Sequence, residues 1–388
     1  MATRLVKRFS STFATKSKSH LHKPIPSESF PSGYVLTGVH AGIKKNPTAL
    51  DLAVILSTSP RPTSAAACFT RNAFKAAPVL VSEEVLRASG GRARAVVVNS
   101  GCANAVTGAK GLENAWKMAR ATDELLPPNS SSSSEGGASA GAGETLVMST
   151  GVIGQHVPIA PILSALSALN PLKPAASAFS AWESVARAFM TTDTFPKLRA
   201  RAFSVRGKTY RLAGVDKGAG MIHPSMRPAR TGAGAGASGF AGAHGGLHAT
   251  LLACVVTDAP VSPRSLQSAL SYAVDRSFNS ISVDGDMSTN DTIIALANGA
   301  AAVEAPEIDE EADGEAFRVF RDALTAFAQD LAQLVVRDGE GATKFVSVTV
   351  SGAPSYEHAH AVASKISTSA LVKTALYGED AKCVLAIV

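Results

Sequence analysis

The pattern of apolar and polar positions switches repeatedly between short β-rich runs and stretches of helical spacing. Residues 94–99 (RAVVVN) read as a buried strand, and after a glycine-containing turn apolar positions recur at helical spacing near 112–126. The spacing predicts helices at 163–169 and 178–190, and a hairpin over 202–215 that turns at Arg206-Gly207-Lys208. The run 251–256 (LLACVV) is a strongly apolar strand, and Ser262-Pro263 supplies an N-cap and a first-turn proline for a helix through about Val274. Beyond it the pattern predicts a strand at 279–283, a helix at 291–298, a strand at 345–350 (FVSVTV) and a last helix over 357–375. The class is mixed α/β.

Two segments interrupt this pattern. Residues 127–143 (PPNSSSSSEGGASAGAG) and 227–246 (RPARTGAGAGASGFAGAHGG) carry too little apolar surface to offset their ordering entropy, so both are expected to be mobile loops. The second is glycine-rich but fits no phosphate-binding spacing. Its position matters more, because it ends just before Leu247-His248-Ala249-Thr250 and the strand that follows. The longest apolar run, 249–256, has eight residues, far short of the roughly 18–20 that a membrane-spanning helix needs.

Composition adds a leader. The 388 residues carry 37 Lys+Arg against 31 Asp+Glu, a formal charge of +6. Arg4, Lys7, Arg8, Lys16, Lys18 and Lys23 account for all of that excess, and residues 1–27 contain no acid. With Leu5, Val6, Phe9 and Phe13 among these bases and abundant Ser and Thr, residues 1–27 fit a mitochondrial transit peptide. The formally neutral remainder gives no reason to expect a nucleic-acid or membrane partner. Cys68, Cys102, Cys254 and Cys383 form no CxxC pair, so neither zinc nor a disulfide framework is indicated.

No HExxH, GxSxG or kinase set occurs. The candidate chemistry lies in polar, glycine-containing blocks at strand ends: 99–105 (NSGCANA), 148–154 (MSTGVIG), 191–197 (TTDTFPK), 217–224 (KGAGMIHP) and 284–291 (DGDMSTND). Each alone reads as a turn. Asp284 and Asp286 lack the twelfth-position glutamate of a calcium loop, and no metal is expected.

Together these blocks closely resemble the glutamate N-acetyltransferase, or ornithine acetyltransferase, family of arginine biosynthesis, over about residues 32–381. The family's cleavage signature, KGAGMIHPNMATLL, is split here into 217–226 (KGAGMIHPSM) and 249–252 (ATLL), with 22 residues between. The resemblance implies a layered sandwich of β-sheets flanked by helices, of the self-cleaving N-terminal-nucleophile type. It implies scission between Ala249 and Thr250, giving an α chain (28–249), a β chain (250–388) and a tetramer of two of each. A threonine hydroxyl alone is a poor nucleophile. Once Thr250 is an N-terminus, its amine, with an unperturbed pKa of about 7.7–8.0, serves as general base for its own hydroxyl. The family's oxyanion donors fall on Thr150 and Gly151.

The implied reaction is ping-pong: Thr250 takes acetyl from N2-acetylornithine and passes it to glutamate in the mitochondrial matrix. No bound cofactor is implied, and acetyl-CoA is admitted as a second acetyl donor. By the same resemblance Lys217 meets the α-carboxylate, Glu340 meets the ornithine side-chain ammonium, and a threonine of the Thr191-Thr192 pair binds substrate, with Thr191 the first choice. His223 is expected to be structural.

The chain departs from the family in three places. Ser225 replaces an asparagine, the insertion precedes the scissile bond, and after 375–381 (ALYGEDA) the sequence reads KCVLAIV where the family continues with an NWGRI-like segment. A C-terminally incomplete form with impaired substrate binding is therefore the expectation. Two other readings stay open on sequence alone: an N-terminal-nucleophile amidase or aminopeptidase, and an inactive chain acting only as an assembly partner.

Overall fold

A computed structural model describes residues 18–127, 143–169, 178–229 and 250–380. Ala249, most of the two low-complexity segments, residues 1–17 of the leader and Cys383 lie outside the described residues. Residues 18–27, within the expected leader, touch the body: Arg199 Nη2 donates to the Leu21 carbonyl at 3.1 Å, and His22 stacks beside Phe179.

Among the described residues, ten strands form two sheets. The first has four, in the order β1 (Tyr34–Val39), β2 (Leu52–Ser57), β4 (Ala95–Cys102) and β5 (Thr145–Val152). The second has six, in the order β6 (Lys197–Val205), β7 (Lys208–Lys217), β9 (Leu252–Thr257), β10 (Thr292–Ala297), β3 (Ser64–Thr70) and β8 (Met226–Pro228). Among the described strands, only β4–β5 and β9–β10 are parallel pairs. A parallel pair needs a crossover, supplied by α2 (Gly108–Asp123) and α5 (Pro263–Asp275) respectively.

The strand β9 shows why the sheets stack. Leu252, Cys254 and Val256 face a core shared with the four-stranded sheet and with α1 (Ala77–Ala88) and α4 (Phe179–Phe189). Ala253 and Val255 face a second core under α5 and α6 (Gly314–Arg337). Both faces are buried, which explains a run without alternation. Fully burying a Leu or Val side chain is worth about 1.5–3 kcal/mol each. The three described cysteines are buried small core residues, and burial pushes the Cys68 and Cys254 thiols up to about 12.

Most of the expected elements form where the pattern puts them. The hairpin turns at Arg206-Gly207, with Val205 opposite Lys208, and the Ser262 side chain caps α5 by accepting from the Ser265 N–H. The helices expected at 112–126, 163–169 and 178–190 appear as α2, α3 (Ile159–Ala168) and α4.

Four expectations differ from the structure. The helix expected at 291–298 is β10: its six-residue apolar run reads equally as helix or strand in isolation, and its neighbours β9 and β3 decide. The strand expected at 279–283 is a 3₁₀ turn (Phe278–Ser280) and an extended tail, in which the Val283 N–H donates to the Ile222 carbonyl and the Val283 carbonyl accepts from Lys373 Nζ, each at 2.6 Å. Residues 345–350 form no ladder and lie beside α6, where the Arg337 guanidinium sits 3.9 Å from the Phe345 ring centroid. The last helix breaks into α7 (Tyr356–Ser367) and α8 (Ala370–Tyr377), because the Ser369 side chain caps a new start by accepting from the Val372 N–H. The 24-residue α6 was not expected, although Phe317, Phe320, Leu324, Phe327, Leu331 and Val335 mark its buried stripe.

The helix α4 approaches β1 without a spacer. A Cβ at Gly38 would lie 2.2 Å from the Ser184 carbonyl oxygen, and the Gly38 N–H donates to Ser184 Oγ at 2.8 Å. Gly38→Ala is expected to push α4 off the sheet and cost about 1–3 kcal/mol. A lower urea midpoint at unchanged slope checks this, and an unshifted midpoint would contradict it.

Candidate active site

Thr250 lies two residues before β9 and is 1% exposed. The register of the second sheet sets Leu252 opposite Lys217, the last residue of β7. From there the Lys217 amine reaches back to donate to the Thr250 carbonyl at 2.8 Å and meets Thr150 Oγ1 at 3.3 Å. Thr150 belongs to β5, in the other sheet. One buried amine thus ties the candidate nucleophile to a candidate oxyanion donor. Burial pushes the Lys217 amine below its usual range, against the opposing pull of Asp193.

Gly151 follows Thr150 with φ 126°. A Cβ there would lie 2.3 Å from the Gly101 carbonyl carbon of the adjacent strand, so the close approach of β4 and β5 requires glycine.

Beneath Lys217 lies a buried ion network. Lys197 Nζ donates to Asp193 Oδ1 at 2.5 Å and to Asp338 Oδ2 at 2.6 Å, and all three side chains are fully buried. Asp193 also accepts from the Gly218 N–H at 2.8 Å and the Thr191 N–H at 2.9 Å. Burial alone pushes the Asp193 carboxyl up, but Lys197, Lys217 and these hydrogen bonds overcome it and hold the group well below the usual carboxylate range. Asp338 also accepts from the Thr194 N–H and hydroxyl. The network fixes the backbone on both sides of the site, at 191–194 and at 217–218.

The other expected residues converge on the same place. Thr191 Oγ1 is buried without a hydrogen-bond partner among the described residues, whereas Thr192 is exposed. Glu340 is exposed, its N–H donates to the Ala219 carbonyl at 2.7 Å, and its carboxylate lies over Gly220. His223 makes a backbone bond to the Asp286 carbonyl at 2.9 Å, and Asp284 accepts from the Ile222 N–H at 2.9 Å. Both are ties between loops.

The sequence reading passed over Ser288 and Asp291. Ser288 Oγ lies 2.8 Å from Thr250 Oγ1. Asp291 accepts from the Leu251 N–H and from the Ser288 N–H, each at 3.0 Å. Burial pushes the Asp291 carboxyl up to about 7, against these bonds and the Lys217 charge. Their sequence signal is the DGDMSTND block itself, which contains both residues.

The sequence profile of the ArgJ family matches residues 35–384. The chain belongs to the ArgJ family. It is 65% identical over 384 residues to the mitochondrial arginine biosynthesis bifunctional protein ArgJ of Laccaria bicolor, covering 98% of this chain and 78% of that one. The counterpart from Postia placenta is also 65% identical over 384 residues, with 97% and 78% covered. Among solved structures, ArgJ from Bacillus halodurans is 33% identical, with a TM-score of 0.44, and covers 52% of this chain and 97% of its own.

In this ArgJ-family chain the Asp193–Lys197–Asp338 network generates a stability prediction. Asp193→Asn leaves Lys197 short of one buried carboxylate, and breaking such a pair costs about 3–5 kcal/mol. The Asp193 pKa is depressed in the folded state, so its stabilising contribution is complete above the unfolded value of 3.8 and is lost as pH falls through the lower folded value. Urea unfolding at neutral pH should show the loss in Asp193→Asn, and the difference between variant and wild type should shrink in strong acid. Equal stability at neutral pH would contradict the network's role.

Proposed function

We propose that this chain cleaves itself between Ala249 and Thr250 and then carries acetyl from N2-acetylornithine to glutamate on the Thr250 hydroxyl. Family membership makes it a glutamate N-acetyltransferase of arginine biosynthesis, mitochondrial and bifunctional in kind. The observation that carries the finer reading is the Lys217 amine, hydrogen-bonded to both the Thr250 carbonyl and Thr150 Oγ1 across two sheets.

In the proposed sequence of steps, Thr250 Oγ attacks the Ala249 carbonyl and the peptide C–N bond breaks as the hydroxyl proton passes to the nitrogen; water then hydrolyses the resulting Ala249 ester, releasing the Ala249 carboxylate and the Thr250 hydroxyl, and the new α-amine takes over as general base. The same Oγ then attacks the acetyl carbonyl of N2-acetylornithine, and the ornithine amine leaves with a proton. Attack by the glutamate α-amine returns Thr250 to its hydroxyl form. Each tetrahedral intermediate places negative charge on an oxygen, for which the Thr150 hydroxyl and the Gly151 N–H are the proposed donors. Lys217 is the proposed partner of the substrate α-carboxylate. The unpartnered Thr191 Oγ1 supports Thr191 over Thr192 as the binding threonine. Glu340, exposed above Gly220, is the proposed acceptor for the ornithine ammonium.

Acetyl-CoA is proposed as a second acetyl donor. We place the enzyme in the matrix after removal of a transit peptide within residues 1–27, as an α chain (28–249) and a β chain (250–388) in a tetramer of two of each.

Denaturing electrophoresis with N-terminal sequencing tests the scheme. The wild type should give two bands, the smaller beginning at Thr250. Thr250→Ala should remain one uncut band, with acetyl transfer reduced by at least about 10³-fold. Normal turnover by that variant would remove Thr250 as the nucleophile. Replacing acetylornithine by acetyl-CoA in the glutamate assay should also yield acetylglutamate, and no product would limit the enzyme to one donor.

A further inference from the structure

The α-amine can serve as base only after the chain is cut, so something else must condition the Thr250 hydroxyl during the cut itself. Ser288 Oγ, at 2.8 Å, is the side-chain group that meets that hydroxyl among the described residues. Both residues are fully buried, which strengthens the interaction.

Either hydroxyl can donate in this pair, and what else Ser288 touches favours Ser288 as the donor. Its Oγ already accepts from the Asn290 N–H at 3.1 Å, and Thr250 Oγ1 is the acceptor within reach of its own proton. Donation from Ser288 leaves the Thr250 proton free to depart and stabilises negative charge on the threonine oxygen. We propose that Ser288 is a catalytic residue donating a hydrogen bond to Thr250 Oγ in both self-cleavage and acetyl transfer, with Asp291 and Asn290 as its positioning residues. Ser288 keeps its proton throughout. The bond assists Oγ when it attacks and again when it leaves the acetyl group.

The segment 288–291 is built for this position. Asp291 takes the Ser288 N–H on one carboxylate oxygen and the Leu251 N–H on the other, so it fixes the serine relative to the residue after the nucleophile. Asn290 Nδ2 donates to the Ser149 carbonyl at 2.9 Å and the Ala103 carbonyl at 2.7 Å, which fixes the segment relative to the residue before Thr150. Thr70 Oγ1 adds a bond to the Ser288 carbonyl at 2.8 Å. The serine is thereby placed against the nucleophile from one sheet and the oxyanion donors from the other.

The inference rests on Thr250 being the nucleophile, and a serine series separates the two claims. Ser288→Ala should slow self-cleavage of purified precursor and lower kcat, the loss of one such donor being worth roughly 10²–10³-fold. If Ser288 acts through Thr250 Oγ1, which it meets at 2.8 Å, KM for acetylornithine should stay within about twofold. Ser288→Thr, which keeps the hydroxyl, should recover most of both rates. Wild-type rates in Ser288→Ala, with Thr250→Ala inactive, would overturn this inference and leave the nucleophile standing. Loss of activity in Ser288→Ala that Ser288→Thr does not recover, or a rise of KM in step with the fall of kcat, would also overturn it.

Discussion

A lysine amine withdrawn from water holds this site together. Lys217 sits at the end of β7 with its side chain fully buried, bonded to the Thr250 carbonyl and to Thr150 Oγ1. An isolated buried cation would be very costly. Asp193 beside it offsets that cost, and Lys197 and Asp338 extend the compensation into a network of alternating charge. The same carboxylate that lies near Lys217 anchors the Thr191 and Gly218 backbones, so electrostatic compensation and loop geometry are one arrangement.

The two sheets bring their functional ends together in a definite way. Thr150 and Gly151 lie at the C-terminal end of β5, in a parallel pair crossed by α2, whereas Thr250, Asn290 and Asp291 precede the N-terminal ends of a second parallel pair crossed by α5. The site is therefore an end-to-end junction between two crossover units. Asn290 spans it directly. Buried backbone amides near the junction find partners in Asp193, Asp291 and Asp338, which removes the freedom that loops at strand ends ordinarily have.

Much of this was legible in the sequence. Thr150, Gly151, Thr191, Lys217 and Thr250 stand in short polar blocks beside apolar strands, and the resemblance of those blocks to one family pointed to a shared site. The hairpin at Arg206-Gly207 and the Ser262 cap were equally plain, because turns and caps are local chemistry. What stayed hidden depended on tertiary neighbours. Residues 292–297 contain no periodicity that separates strand from helix, and only pairing with β3 and β9 decides it. Ser288 is 38 residues from Thr250 along the chain, so no spacing rule reveals that their hydroxyls meet. The Asp193–Asp338 link through Lys197 is hidden for the same reason.

The central claim is that the Thr250 hydroxyl carries the acetyl group between two amino acids. Its most direct test is acid quenching of the enzyme after exposure to N2-acetylornithine without glutamate, followed by mass spectrometry of the fragment that begins at Thr250. One acetyl group should appear on Thr250 Oγ and vanish when glutamate is added before the quench. Turnover with no acetylated fragment at any time, or acetylation on another residue, would contradict the account.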